Sequence, residues 1–155
     1  MKKQNKQPTE QEYASLIKNQ KQAIDLFSHA PMKKTFNMEL TYNKEGATFE
    51  MPYHEKFTHA FGSIHGGVLS TLLDNAGWFT AQPYYEYWIN TIDLQVQFIQ
   101  PTTNNALFSQ GKIVKVGRNI SFTEMEIIDQ EGNTIAKATG SFAVTNKKID
   151  IEKLK

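Results

Sequence analysis

The chain has 155 residues, of which 39% are hydrophobic, 12% aromatic and 21% charged, with a formal net charge of +1 and no cysteine. That length suits one domain with a real core, and the apolar content sets it apart from disordered chains. A near-zero charge and one arginine, Arg118, among 17 basic residues argue against nucleic-acid binding by bulk electrostatics or base-edge readout, and the missing cysteines exclude disulfides, thiolate metal sites and a Cys nucleophile.

Residues 1–7 are rich in Lys, Gln and Asn and read as a frayed tail. They carry lysines with no apolar run behind them, so no secretory signal is expected. No apolar stretch approaches the roughly 20 residues that span a bilayer. The expectation is a soluble, cytoplasmic protein without membrane or nucleic-acid partners.

Thr9 followed by Glu12 reads as a capping box, and Tyr13, Leu16, Ile17, Ile24 and Phe27 form a helical stripe that ends before Pro31. From residue 35 the pattern changes to strands. "TFNMELTYNKEGATFEMP" predicts strand, turn at Asn43–Gly46, strand. After a central helix, "NTIDLQVQFIQP" alternates, with Ile92, Leu94, Val96 and Phe98 on one face and Asp93, Gln95 and Gln97 on the other. Three more strand-like stretches follow, divided by turn signals at Val116–Asn119 and Asp129–Asn133. In the last, Ala136, Ala138, Gly140, Phe142 and Val144 share a face whose small residues leave room for something bulky. The fold class is α+β: about six mostly antiparallel strands with one helix inserted after the second. The expected division is a tail and amphipathic helix over 1–34, the main domain over 35–146 and a charged tail over 147–155.

The central helix carries the chemistry. "GSIHGGVLSTLLDNAG" predicts a helix from Gly66 to Ala81, with Val68, Leu69, Leu72, Leu73 and Ala76 as its buried stripe and Pro83 ending it. Its first turn has backbone N–H groups without intrahelical partners. Gly66 and Gly67 leave those groups uncovered, so the turn is a candidate oxyanion hole. Asp74 lies eight residues further on, about 12 Å along the axis at ~1.5 Å per residue. A general base must be within hydrogen-bond or one-water reach of its target. If both groups serve one reaction, the second comes from another chain, and a symmetric dimer follows.

This stretch resembles the active-site segment of hotdog-fold acyl-CoA thioesterases, in the phenylacetate-pathway (PaaI-like) branch. The pattern there is Asn-x-x-Gly-x-x-His-Gly-Gly followed by Asp or Glu on the same helix. The resemblance continues through "TIDLQVQFIQP" and "GKIVKVGRNISFTEMEIIDQEGNTIAKATGSFAV", roughly residues 45–145. It implies a long helix wrapped by a curved antiparallel sheet, and a homodimer with sites at its interface that pairs further into a homotetramer. It also implies an acyl-CoA substrate and no cofactor. By carry-over, the Gly66 N–H polarises the thioester carbonyl, and Asp74 of the other protomer acts as base on water or as nucleophile. His65 holds the helix start, and Thr91 helps orient the water. The family Asn is His59 here, whose ring N–H takes over as donor to the carbonyl. Candidate substrate contacts are Gly67, Asn75, Trp78, Tyr84 and Arg118, the last suited to the CoA phosphates.

His54, His59 and His65 crowd one loop, but spacings of five and six match no compact metal motif. The aromatic run "PYYEYW", Pro83 to Trp88, is either edge packing or the wall of an acyl pocket. The alternative to hydrolysis is a non-catalytic acyl-CoA-binding module; a dehydratase or a DNA-binding regulator fits the pattern less well.

Overall fold

In the computed structural model, which describes residues 9–150 and 152, Thr9 caps helix α1 (Glu10–Ser28). Its hydroxyl accepts from the Glu12 N–H at 3.2 Å, and the Glu12 carboxylate accepts from the Thr9 N–H at 2.7 Å, the reciprocal bonds of a capping box. The expected N-terminal tail, 1–7, lies outside the described residues. The stripe along α1 is only partly buried. Ala23, Leu26 and Phe27 pack inward, Leu16 is half-buried, and Tyr13 stays 58% exposed, with Ile17 and Ile24 also on the surface. Only the C-terminal half of the helix reaches the core. There the Phe27 ring meets Phe49 and Phe79 edge-on, at centroid distances of 5.0 and 5.3 Å.

Pro31 does more than stop α1. It opens a second short helix, α2 (Pro31–Phe36), at a position where its missing N–H costs nothing. Asn37, left-handed at φ 51°, closes α2, so the strands begin at Glu39 and not at residue 35. β1 (Glu39–Tyr42) and β2 (Ala47–Met51) form a hairpin whose turn is closed by the Asn43 N–H donating to the Gly46 carbonyl at 3.0 Å. The central helix α3 spans Gly66–Ala81, the bounds the sequence predicts. Four long strands follow: β3 (Tyr87–Phe98), β4 (Leu107–Val116), β5 (Ile120–Asp129) and β6 (Thr134–Lys148). They complete a six-stranded sheet of order β1-β2-β4-β5-β6-β3 with every pairing antiparallel. Lys148 pairs with Tyr87, so 147 and 148 belong to β6 and not to the expected charged tail; residues 151 and 153–155 of that tail lie outside the described residues.

One face of the sheet holds α3. Its other face is mixed, with Gln95, Gln97, Lys112, Glu124 and Lys137 exposed beside Ile120, Phe122 and Ile128 of β5. The expected alternation in β3 holds from Leu94 onward but does not run back through Ile92. Thr91 pairs with Phe142 and Asp93 with Ser141, which leaves Ile92 bulged, without a partner and 56% exposed. A bulge adds one residue and shifts the phase of the pleat. Thr91 and Leu94 thereby both lie on the helix side, opposite Phe142 and Gly140 of β6.

α3 lies unusually close to the sheet. A side chain at Gly111 of β4 would collide with the Ala76 carbonyl and the Thr80 hydroxyl, and one at Gly77 would come within 2.8 Å of Met125 Sδ and 2.9 Å of the Phe142 ring. The Thr80 hydroxyl also accepts from the Ala47 N–H at 2.9 Å, tying the helix to β2. From Ala76 to Pro83 every residue is buried, because the sheet covers one side and α1 another. Gly111→Ala should therefore lift the helix from the sheet and cost about 1–3 kcal/mol, lowering the Tm by roughly 2–4 °C for each. Thermal unfolding followed by circular dichroism checks this, and an unchanged Tm would refute the close seat.

Candidate active site

The segment before α3 is a narrow hairpin. Thr58 bridges Ile64, the His59 N–H donates to the Ser63 carbonyl at 2.9 Å, and Gly62 turns the tip at φ 84°. The His65 N–H then donates to the Phe57 carbonyl at 2.8 Å, placing His65 as the extended cap of α3. Its Nδ1 accepts from the Gly67 N–H at 2.9 Å. This corrects the expectation that both glycines leave open donors: the Gly67 donor is taken by the imidazole. The Gly66 N–H has no acceptor among the described residues. Beside it lies the Phe98 ring, 3.1 Å from where a Cβ on Gly66 would sit. A side chain there would press on the end of that exposed ring and move it by a few tenths of an ångström.

The three histidines of this loop share one task. His54, His59 and His65 accept, through Nδ1, the N–H groups of Lys56, Phe61 and Gly67, each two residues on. A ring whose Nδ1 accepts carries its proton on Nε2 when neutral. Among the described residues, no three His, Asp or Glu side chains converge as metal ligands would.

Asp74 sits eight residues into α3 and half-buried. Its Oδ1 accepts from the Thr91 hydroxyl at 2.8 Å. Burial pushes the carboxyl above its ordinary range, and the Thr91 bond pulls the other way without cancelling it. Both residues open onto a cavity of about 540 Å³ whose walls also include Asn75, Trp78, Trp88 and Asn90. Its remaining walls come largely from the α1–α2 junction, which the sequence reading treats as a surface helix and its end. None of the hairpin residues, His59, His65 or Gly66, is among these walls.

Of the other candidates, Asn75 and Trp78 line the cavity. The Trp78 indole N–H donates to the Ile89 carbonyl at 2.7 Å and its ring lies 4.6 Å from that of Trp88, centroid to centroid. Of the aromatic run, then, Trp88 reaches the cavity whereas Tyr84 does not; it is exposed on the turn after α3. Arg118 is exposed in the β4–β5 turn. Met32, Pro31 and Lys147 line the cavity too, and no local motif flags them.

The sequence profile of the thioesterase superfamily matches residues 61–136. A Halobacterium salinarum protein named "putative esterase" is 31% identical over 107 residues, which cover 61% of this chain and 70% of that one. Among solved structures, the E. coli PaaI protein from the phenylacetic acid degradation operon superposes with a TM-score of 0.78 at 18% identity, over 88% of this chain and 98% of that one. A Streptococcus mutans protein solved bound to acetyl CoA gives a TM-score of 0.67 at 21% identity, over 73% and 92%. The chain thus has the hotdog fold of these structures. Among the described residues, no helix is long and apolar enough to cross a membrane.

The raised Asp74 carboxyl is also a statement about stability. The fold disfavours the charged form, so this group's contribution is fully present below the unfolded carboxylate pKa and is lost as pH rises through the higher folded one. At neutral pH Asp74 works against folding. Asp74→Asn keeps an oxygen for Thr91 and should raise the Tm at pH 7, by about 2–4 °C for a change on the order of 1 kcal/mol. The gain should shrink as the buffer is taken below the carboxylate range; a variant less stable than the parent at pH 7 would contradict the assignment.

Proposed function

Because the chain belongs to the thioesterase superfamily, whose chemistry is thioester hydrolysis, we propose that it hydrolyses an acyl-CoA at a site shared by two protomers. The observation that carries this reading is Asp74: a half-buried carboxylate held by Thr91 at an apolar cavity, on a helix whose first turn keeps one free donor. The Gly66 N–H of one protomer donates to the carbonyl oxygen, and Asp74 of its partner takes a proton from water as the water oxygen attacks the carbonyl carbon. The oxyanion collapses, the carbon–sulfur bond breaks and the thiolate is protonated as CoA leaves with the free acid formed. Asp74 can instead attack the carbonyl itself, expelling the CoA thiolate and giving an anhydride that water then opens to the free acid and the restored carboxylate.

His65 serves as a positioning residue, since its imidazole holds the first turn of α3. His59 Nε2–H is the second donor to the carbonyl in place of the family Asn. Arg118 and Tyr84, on exposed turns, would meet the carrier half of the substrate and not its acyl half. The dimer is supported by β3. It is an edge strand of 12 residues, with Ile92, Phe98 and Ile99 more than half exposed, and such an edge is rarely left open. Pairing β3 with its copy would bring two α3 helices together, and with them Asp74 and Gly66 of opposite chains.

The test is thiol release with acyl-CoA substrates, read with a thiol-reactive dye against a chain that has no cysteine of its own. Asp74→Asn should lose on the order of 10²–10⁴-fold in kcat. Gly66→Pro removes the free donor at a helix position proline tolerates, after a His65 whose φ −66° and ψ 138° suit a following proline. It should cost on the order of 10²–10³-fold. Mixed dimers of the two inactive variants contain one intact site and should recover activity; no recovery would rule out a shared site. Tight binding of acyl-CoA without thiol release at any pH would leave the non-catalytic alternative standing.

The pH profile gives a separate check. The base works deprotonated, so kcat/KM should fall on the acid side at a pH above the ordinary carboxylate range. Thr91→Val removes the interaction that lowers the Asp74 pKa and should move that limb to higher pH. A limb that stays in place would dissociate Thr91 from the base.

A further inference from the structure

The cavity at Asp74 has an orientation. Asp74 and Trp78 are one helical turn apart on the same side of α3, about 6 Å along the axis, and both line it. Beyond them the walls are Leu26, Phe27, Pro31 and Met32 of the α1–α2 elbow, with Trp88 opposite. The elbow is anchored. Phe27 is 2% exposed and wedged against Phe49 and Phe79, and Lys33 of α2 is ion-paired with Glu39 of β1. Both indole N–H groups are already spent inside the protein, Trp78 on the Ile89 carbonyl at 2.7 Å and Trp88 on Asn90 Oδ1 at 2.9 Å. The tryptophans therefore offer the cavity ring faces and no donors. Apart from His29 and Lys147, which also line it, this end presents hydrocarbon.

We propose that the α1–α2 elbow is the specificity-determining end of an acyl-tail pocket, with Met32 and Trp88 setting how long a tail can lie beyond Asp74. This rests on the thioesterase reading for the position of the reacting carbonyl. A tail whose carbonyl sits at Asp74 runs over the tryptophan pair and ends against Met32. That side chain is 37% exposed and unbranched, so shortening or enlarging it changes the space without touching the core. The N-terminal helices are then part of the substrate site, which nothing in the local sequence pattern of α1 announces.

The chain offers a direct probe, because Trp78 and Trp88 are its two tryptophans. Intrinsic emission reports on this cavity and nothing else. S-alkyl coenzyme A thioethers, whose carbon–sulfur bond water cannot cleave, should shift the emission when the alkyl group is octyl and leave it near the free-protein value when it is methyl. In parallel, the ratio of kcat/KM for dodecanoyl-CoA to that for butanoyl-CoA should rise about tenfold in Met32→Ala and fall about tenfold in Met32→Phe, the scale of a pocket gaining or losing a few methylenes. If acyl-CoAs are turned over but neither the emission nor the ratio moves, the elbow assignment is overturned and the hydrolase reading stands. If octyl-CoA shifts the emission and no acyl-CoA is hydrolysed, the pocket stands and the hydrolase reading falls. An emission shift for methyl-CoA as large as for octyl-CoA would also refute the acyl-tail pocket, since it would place the carrier there.

Discussion

Everything at the site follows from how α3 is seated. With no side chain at Gly111 and none at Gly77, the helix backbone rests on β4 itself and on the Thr123, Met125 and Phe142 side chains, and the Thr80 hydroxyl fixes its far end to β2. A seat that close fixes rotation as well as distance. One residue on a helix is a 100° turn, so a slip of one position would carry Asp74 from the cavity towards the sheet. With Ala76, Gly77 and Thr80 facing the strands, Asp74 and Trp78 must face β3 and the N-terminal helices. The Asp74 carboxylate is thus placed by contacts made on the opposite side of the helix.

The bulge at Ile92 is the second constraint. Ile89 and Thr91 share a face by simple alternation, and so do Leu94, Val96 and Phe98, but the two sets are out of phase with each other. A regular strand could turn only one set towards α3. One extra residue reconciles them. Thr91 then reaches Asp74, and seven residues on the Phe98 ring reaches Gly66. A single irregularity in an edge strand serves both ends of the helix's working face, while Asp93, Gln95 and Gln97 are left to solvent.

Much of this was legible in the residues. The capping pair Thr9 and Glu12, the bounds of α3, the strand count and the turns at Asn43–Gly46 and Asp129–Asn133 all rest on local rules, and local rules were enough. The family resemblance singles out Thr91 and Asp74 separately; that the Thr91 hydroxyl donates to Asp74 is visible only in the geometry. What failed did so for physical reasons. Pro31 ends one helix and starts another, and the same proline is compatible with both. The bulge is silent, because the alternation from Ile92 to Phe98 is unbroken and its phase matters only against Ile89 upstream. Which half of α1 is buried depends on where α3 ends, a contact about fifty residues away in sequence. And Gly67 looks like a bare donor until His65 is seen folded back on it.

The histidine loop changes what the departure at residue 59 means. An asparagine in such a turn accepts a backbone N–H through its side-chain oxygen and still has an amide to donate. A neutral imidazole does the same with two nitrogens: Nδ1 takes the Phe61 N–H, which leaves the proton on Nε2 as the donor. The turn itself fixes the tautomer of the neutral ring. The same acceptor role falls to Nδ1 at His54 and His65. At residue 59 an imidazole thus supplies the same pairing of one acceptor and one donor that an amide would.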